Sequence, residues 1–246
     1  MLSIKEIIVR EFERNNLMHN KDIIEIFDLY ANLLISENKK YNLTSITNYS
    51  DIVDKHFIDS IIGFEKYKEL NFNTNSMTIM DIGTGAGFPG LPILIYNQFL
   101  YKGKTTINLH LLDSNKKKTE FLLLIVSYIK KYLDEKSITI HNNRLEELIL
   151  KDKKPDLFLS RATGNLNQVI KFLDIFLLKN NFINKKSYLL YYGGRNHKIY
   201  SDENYQKTNS SSKKIFSITS KIIADFEFSI KKYRRKNILY IFNPRI

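Results

Sequence analysis

The residues Asp81-Ile82-Gly83-Thr84-Gly85-Ala86-Gly87 place one acid ahead of three alternating glycines. They follow a short apolar run, Met77 to Met80, that reads as a buried strand, and precede an apolar helical stretch from Leu91 to Leu100. Glycines at such a strand-to-helix turn permit a tight bend and close approach of the backbone to a ligand. A dinucleotide loop of the form Gly-x-Gly-x-x-Gly needs glycine at 88, where Phe88 stands. Asp81 would repel a pyrophosphate but suits a cationic or amino-bearing ligand, because its carboxylate accepts from an amine. Thirty residues after Gly83, Leu111-Leu112-Asp113 closes a second apolar run. An ionised carboxylate there has two acceptor oxygens for the two hydroxyls of a ribose. S-adenosylmethionine meets these conditions: it has a ribose, an amino-acid end and no phosphate. The competing reading is a structural turn in which Asp113 caps the next helix.

Arg161 closes a further apolar run, Leu157-Phe158-Leu159-Ser160. Its planar fork suits a base edge or a phosphate, and equally an ion pair with Asp113 or Asp156. His56 and Asp59 stand one helical step apart, spacing that serves a helix brace as well as a direct role. His19, His110, His141 and His197 lack metal-ligand spacing, and Ser114 and Ser160 lack the partners of a nucleophile. The chain has no Cys. Disulfides, iron–sulfur clusters, thiolate zinc sites and a Cys nucleophile are thereby excluded.

The elements that must carry these residues follow from periodicity. Ile4, Ile7, Ile8 and Phe12 recur at helical spacing, as do Ile23, Ile26, Phe27, Tyr30 and Leu34 after Asn20 as N-cap. A third helix begins near Ser50 and carries Phe57, Ile58, Ile61 and Ile62, and Asn71 to Ser76 is a polar break. Strands are expected at 77–82, 106–112, 137–141, 157–159 and 187–192, with helices at 91–100, 116–133 and 166–178. Such alternation predicts an α/β fold whose mostly parallel sheet carries helices on both faces. Two β-like runs, 215–230 and 236–242, have no helix between them and fit an antiparallel hairpin at the sheet edge. The expected organisation is a helical extension over 1–70 and a ligand-binding domain over 71–246, with a flexible loop at Lys207 to Lys214.

The formal charge is +12 over 246 residues, and Arg supplies only eight of the 38 basic groups. A negatively charged partner and a lysine-rich solvated surface both explain that balance. Lys116-Lys117-Lys118 and Lys231-Lys232-Tyr233-Arg234-Arg235-Lys236 are the clusters that would meet a nucleic acid. The first residues carry acids early and lack the apolar core of a secretory signal, and no apolar run is long enough to cross a bilayer. A cytoplasmic protein without a membrane partner is expected.

Motifs spread along the chain sharpen this. They are Tyr41-Asn42-Leu43-Thr44-Ser45-Ile46, His56-Phe57-Ile58-Asp59-Ser60, the glycine loop with its extension Phe88-Pro89-Gly90-Leu91-Pro92, Leu111-Leu112-Asp113-Ser114, Asn143-Arg144-Leu145-Glu146-Glu147 and Ser160-Arg161-Ala162. Together they resemble the class I S-adenosylmethionine-dependent methyltransferases, and more narrowly the RsmG (GidB) family. That resemblance implies a Rossmann-like sheet and methylation of N7 of a guanine in the helix 18 loop of 16S rRNA. The partner would be the rRNA, the 30S subunit or its assembly intermediate, and the enzyme a monomer. It implies that Gly83 and Phe88 line the S-adenosylmethionine site and that Leu145 and Glu146 meet the adenine, joining Asp81, Gly85, Gly87 and Asp113, which the loop and the second strand already assign to the cofactor. Arg161 would face both cofactor and incoming base as the catalytic residue. The chain departs from the family pattern at Glu37, where Trp is frequent, and at Gly193, where Lys is common and Arg195 stands two residues on. A methyltransferase for small molecules or proteins, and a non-catalytic RNA-binding protein on the same fold, are the alternatives.

Overall fold

The computed structural model describes residues 2–69, 75–101, 105–133, 137–151, 153–161, 164, 166–182, 187–193, 219–230 and 233–243. Residues 71–74 of the polar break expected over 71–76, His197, Arg195, the loop at 207–214, residues 215–218 of the first tail run, Lys231 and Lys232 lie outside the described residues, and Ser76 already belongs to a strand.

The chain opens with helices α1 (Ile4–Arg14) and α2 (Lys21–Tyr41). Ser3 and Glu6 form a reciprocal capping box on α1. Asn20 caps α2 by accepting from the Ile23 N–H at 2.9 Å, as its position predicts. The third helix is not continuous. A short α3 (Tyr49–Ile52) passes through a π-helical segment, Val53–Ile58, into α4 (Asp59–Glu69).

Strand β1 (Ser76–Ile82), helix α5 (Gly90–Tyr101), strand β2 (Thr106–Leu112), helix α6 (Lys116–Ile129) and strand β3 (Ile138–His141) follow. A 3₁₀ turn at Leu145–Glu147 leads to β4 (Leu157–Arg161), α7 (Leu166–Lys179) and β5 (Ser187–Gly193). Strands β6 (Thr219–Ile230) and β7 (Tyr233–Asn243) close the chain. The seven strands lie in the order β3-β2-β1-β4-β5-β7-β6. The first five are parallel, and β7 runs antiparallel to both β5 and β6. A dinucleotide fold continues parallel to its sixth strand, so the reversed β7 argues against that alternative.

Most expected boundaries shift by one or two residues, and two move further. Helix α6 ends at Ile129 rather than 133, because the Tyr132 N–H bonds the Ile129 carbonyl at 2.9 Å in a tightened final turn. Tyr233 to Lys236, read as part of a basic bridge between tail strands, belong to β7 itself.

The helical lead and the sheet share one continuous core. Ile8, Phe12, Phe27 and Phe57 from the lead belong to the same buried cluster as Ile79, Leu157 and Leu159 from the sheet. The opposite face packs α7 through Leu166, Val169, Leu173 and Phe176 against Met80 and Phe158. Asp174 is buried within that helix, and its Oδ1 has no hydrogen-bond partner. Burial pushes its carboxyl from 3.8 up to about 7. The folded protein therefore holds this proton at pH values where the unfolded chain has lost it. The stability involved is fully present below about pH 3.8 and is lost as pH rises through about 7. Asp174→Asn should raise the stability at pH 8 by roughly 1–3 kcal/mol and flatten the dependence of melting temperature on pH between 5 and 8. An unchanged pH slope in thermal melts would mean that Asp174 is solvated in the folded protein.

Candidate functional site

The glycine loop leaves β1 at the carboxyl edge of the sheet. There β1 lies between β2 and β4, the point at which strand order reverses and ligands enter open α/β sheets. Asp113 follows β2, Leu145 and Glu146 follow β3, and Arg161 ends β4. The fold thus brings every candidate residue to one edge.

Gly83, Gly85 and Gly87 all have positive φ, at 64°, 62° and 101°. Their surroundings differ. Among the described residues, a Cβ on Gly85 would meet only the Lys118 ammonium, at 4.0 Å. A Cβ on Gly87 would run into the Tyr30 hydroxyl and come within 2.6 Å of Leu91. Gly85 therefore faces open space that a ligand can fill, whereas Gly87 is glycine because α2 and α5 crowd it. The loop is fastened by the Thr84 N–H to the Leu112 carbonyl at 3.0 Å and the Phe88 N–H to the Thr84 carbonyl at 2.8 Å. The Tyr30 hydroxyl donates to the Ala86 carbonyl at 2.5 Å. The Phe88–Pro89 bond that ends the loop is cis.

Asp81 lies beneath this loop, fully buried. Its Oδ2 accepts from the Thr84 hydroxyl and the Gly90 N–H, both at 2.7 Å, while Oδ1 has no partner among the described residues. Burial raises its carboxyl to about 6, against the opposing effects of those two donors and the Arg161 cation. Read from sequence as an acceptor for a ligand amine, Asp81 is placed as the peg that shapes the loop. Asp113 is also buried, but both of its carboxylate oxygens have partners. Its Oδ2 accepts from the Gly85 N–H and its Oδ1 from the Asn115 N–H, each at 2.9 Å. Each oxygen retains a second lone pair, so the pair of acceptors stands beside the open glycine. Asn115, rather than Asp113, caps α6, accepting from the Lys117 N–H at 3.0 Å.

Leu145 is buried with Ile82 and Leu112, forming an apolar floor under the ends of β1 and β2. Glu146 is half-buried beside it. The arrangement suits a flat ring resting on Leu145 with its ribose at Asp113.

Arg161 departs most from the sequence reading. Its side chain is only 8% exposed, and it reaches the helical lead rather than Asp113 or Asp156. One guanidinium nitrogen donates to the Lys55 carbonyl at 3.0 Å, Asp59 Oδ2 at 3.1 Å and Ser60 Oγ at 3.2 Å. The other reaches His56 Nδ1 at 3.3 Å. Arginine has only donors, so Nδ1 accepts, and the His56 proton sits on Nε2, facing Thr44 Oγ1 at 3.2 Å. The His56 ring stacks on Phe88, with centroids 4.2 Å apart and planes 4° off parallel. Arg161 also lies over the rings of Phe88 and Tyr192, at 5.6 and 5.9 Å. His56 and Asp59 thus brace the loop through Phe88 and Arg161. Tyr30 and Tyr192 complete the assembly. Sequence reasoning placed Tyr30 in the helix core and gave neither tyrosine a functional role. The available signal was a tyrosine at a core position of an apolar stripe, whose hydroxyl must find a partner.

Among the described residues no three His, Asp or Glu side chains are grouped to hold a metal, and no helix is long and apolar enough to cross a membrane.

A family profile described as rRNA small subunit methyltransferase G (GidB) matches residues 23–226. A ribosomal RNA small subunit methyltransferase G of Fusobacterium nucleatum is 32% identical over 92% of this chain and 85% of its own length. The enzyme of that name from Mycoplasma capricolum is 37% identical over 68% of this chain, and the match spans 64% of that relative. Among solved structures, one described as a class I S-adenosylmethionine-dependent methyltransferase of Listeria monocytogenes superposes with a TM-score of 0.55 at 14% identity. That match covers 89% of this chain and 68% of the other.

Proposed function

The chain belongs to the rRNA small subunit methyltransferase G (GidB) family, and on that premise we propose that it methylates N7 of a guanine in the helix 18 loop of 16S rRNA, using S-adenosylmethionine. The observation that carries the reading is Asp113 accepting from the Gly85 N–H beside an open, positive-φ glycine. It sets a diol-binding carboxylate against a backbone that a ligand can approach closely.

When bound, S-adenosylmethionine supplies a methyl group on a positively charged sulfur. Guanine N7 has a free lone pair and no proton to lose, so the protein needs no strong general base. Its contribution is positioning and a fixed electrostatic environment. Asp113 holds the ribose, Leu145 supports the adenine with Glu146 at its edge, and Gly83 and Gly85 admit the amino-acid end. Asp81 sets the loop from below. Phe88, held face to face by His56, forms the wall past which the base must enter. In this proposal Arg161 acts as a positioning residue, since its donors are turned to Lys55, His56, Asp59 and Ser60. The residues over 71–246 form the methyltransferase domain and 1–70 its helical extension. The enzyme works as a cytoplasmic monomer on the 30S subunit or an assembly intermediate.

Incubating the protein with tritiated cofactor and unmodified 30S particles, then mapping the label, tests this. One labelled guanine N7 in 16S rRNA is the expected result. Label at another atom, or transfer without RNA, would overturn it.

A further inference from the structure

Lys118 stands beside Asp113 and the glycine loop. Its ammonium is 3.8 Å from Asp113 Oδ2 and, among the described residues, is the group nearest the open face of Gly85. The side chain is about one-third exposed, whereas Asp113 is buried. Lys116, Lys117 and Lys118 fill the first turn of α6, and no acid shares that turn. A helix N-terminus carries a partial positive charge, so three cations there are mutually and locally unfavourable. Asp113 is the carboxylate that relieves Lys118, and Lys116 reaches only Glu120, at 3.9 Å on the surface.

A ribose that takes the outward lone pairs of Asp113 must share them with, or remove, the Lys118 ammonium. A displaced ammonium is left with the cofactor's own carboxylate at the glycine loop, or with an anion beyond it, as its counter-charge. Its four-carbon stem lets it swing outward to the rim beside Lys116 and Lys117, where an RNA phosphate offers a new counter-charge.

We propose that Lys118 couples the two substrates by exchanging ion partners: Asp113 before the ribose binds, and an RNA phosphate once the ribose holds Asp113. The inference rests on the methyltransferase reading above. Coupling of this kind is reciprocal: RNA tightens the cofactor by the factor with which the cofactor tightens RNA. A partly exposed ion pair sets its size at about two- to fivefold.

The test is equilibrium dialysis of S-adenosylhomocysteine, which binds without turnover, at fixed salt with and without saturating unmodified 30S particles. For the natural protein, 30S particles should lower the Kd by about two- to fivefold. Lys118→Met keeps the stem and removes the charge. Without particles it should bind S-adenosylhomocysteine about two- to fivefold more tightly than the natural protein, and particles should add nothing further. Lys118→Arg should retain the coupling. A Lys118→Met protein that binds no more tightly than the natural one, or whose affinity still responds to particles, would overturn the proposal. Failure of the natural protein itself to bind S-adenosylhomocysteine would instead overturn the methyltransferase reading.

Discussion

Arg161→Ala should lower folding stability by about 3–5 kcal/mol and reduce methyl transfer to near background. The side chain joins the end of β4 to the helical lead through an ion pair in which Asp59 is fully buried and Arg161 only 8% exposed. Truncation leaves the Asp59 carboxylate in the interior without its guanidinium. Removing one partner of such a pair costs far more than the pair contributes net, because the remaining charge has lost its solvation. The Lys55 carbonyl and Ser60 hydroxyl lose a donor at the same time, and His56 loses the contact that fixes its tautomer. Phe88 then has neither a fixed ring on one face nor the cation nearby. Arg161→Lys restores the charge but not the fork, so it should recover part of the stability and little of the activity. Denaturant midpoints and single-turnover methylation separate these effects. An Arg161→Ala protein of natural stability but no activity would place the arginine against substrate rather than in the brace.

Asp113→Ala should leave the protein folded but weaken S-adenosylhomocysteine binding by about 100-fold or more. Two charge-assisted hydrogen bonds to a diol are each worth roughly 1.5–3 kcal/mol. The substitution also releases the Gly85 and Asn115 N–H groups, which lie near solvent and can turn to water. The stability cost is then about 1 kcal/mol, small beside the loss of binding. Asp113→Asn keeps one acceptor oxygen and should fall between. Calorimetric titration decides: an Asp113→Ala protein that binds within a few-fold of the natural one removes Asp113 from the ribose site.

The parts of this structure that a sequence displays are those whose period or chemistry is local. The strand before Gly83, the helix that begins at Gly90 and the cap at Asn20 are each written within a few residues. The place of Asp113 was legible because an acid that follows the second parallel strand must stand at the carboxyl edge beside the loop that leaves the first. The brace was not, because its partners come from distant positions: Arg161 meets Lys55, Asp59 and Ser60 from more than 100 residues away. Nothing near Arg161 distinguishes a side chain turned inward from one facing a substrate, so Asp113 and Asp156 stood as its natural partners, yet Asp156 lies at the other end of β4, against Thr78 at the start of β1. Gly87 shows the same limit. Its neighbours in sequence suggest a ligand contact, yet Tyr30, far upstream, occupies the space beside it.

The π-helical segment Val53–Ile58 separates residues that a continuous α-helix would arrange differently. Wider turns of this kind amount to one extra residue accommodated within a helix, and they shift the phase of everything downstream by about 100°. In the phase observed, the Lys55 carbonyl, His56 ring, Asp59 carboxylate and Ser60 hydroxyl all converge on one guanidinium. Deleting any one residue of the segment would favour ordinary helical winding and rotate α4 relative to His56, so that Asp59 and His56 no longer share a target. The spacing between the His-Phe-Ile-Asp-Ser motif and the helix ahead of it is thus a phase setting, fixed by length as well as by the buried side chains of Val53 and Asp54.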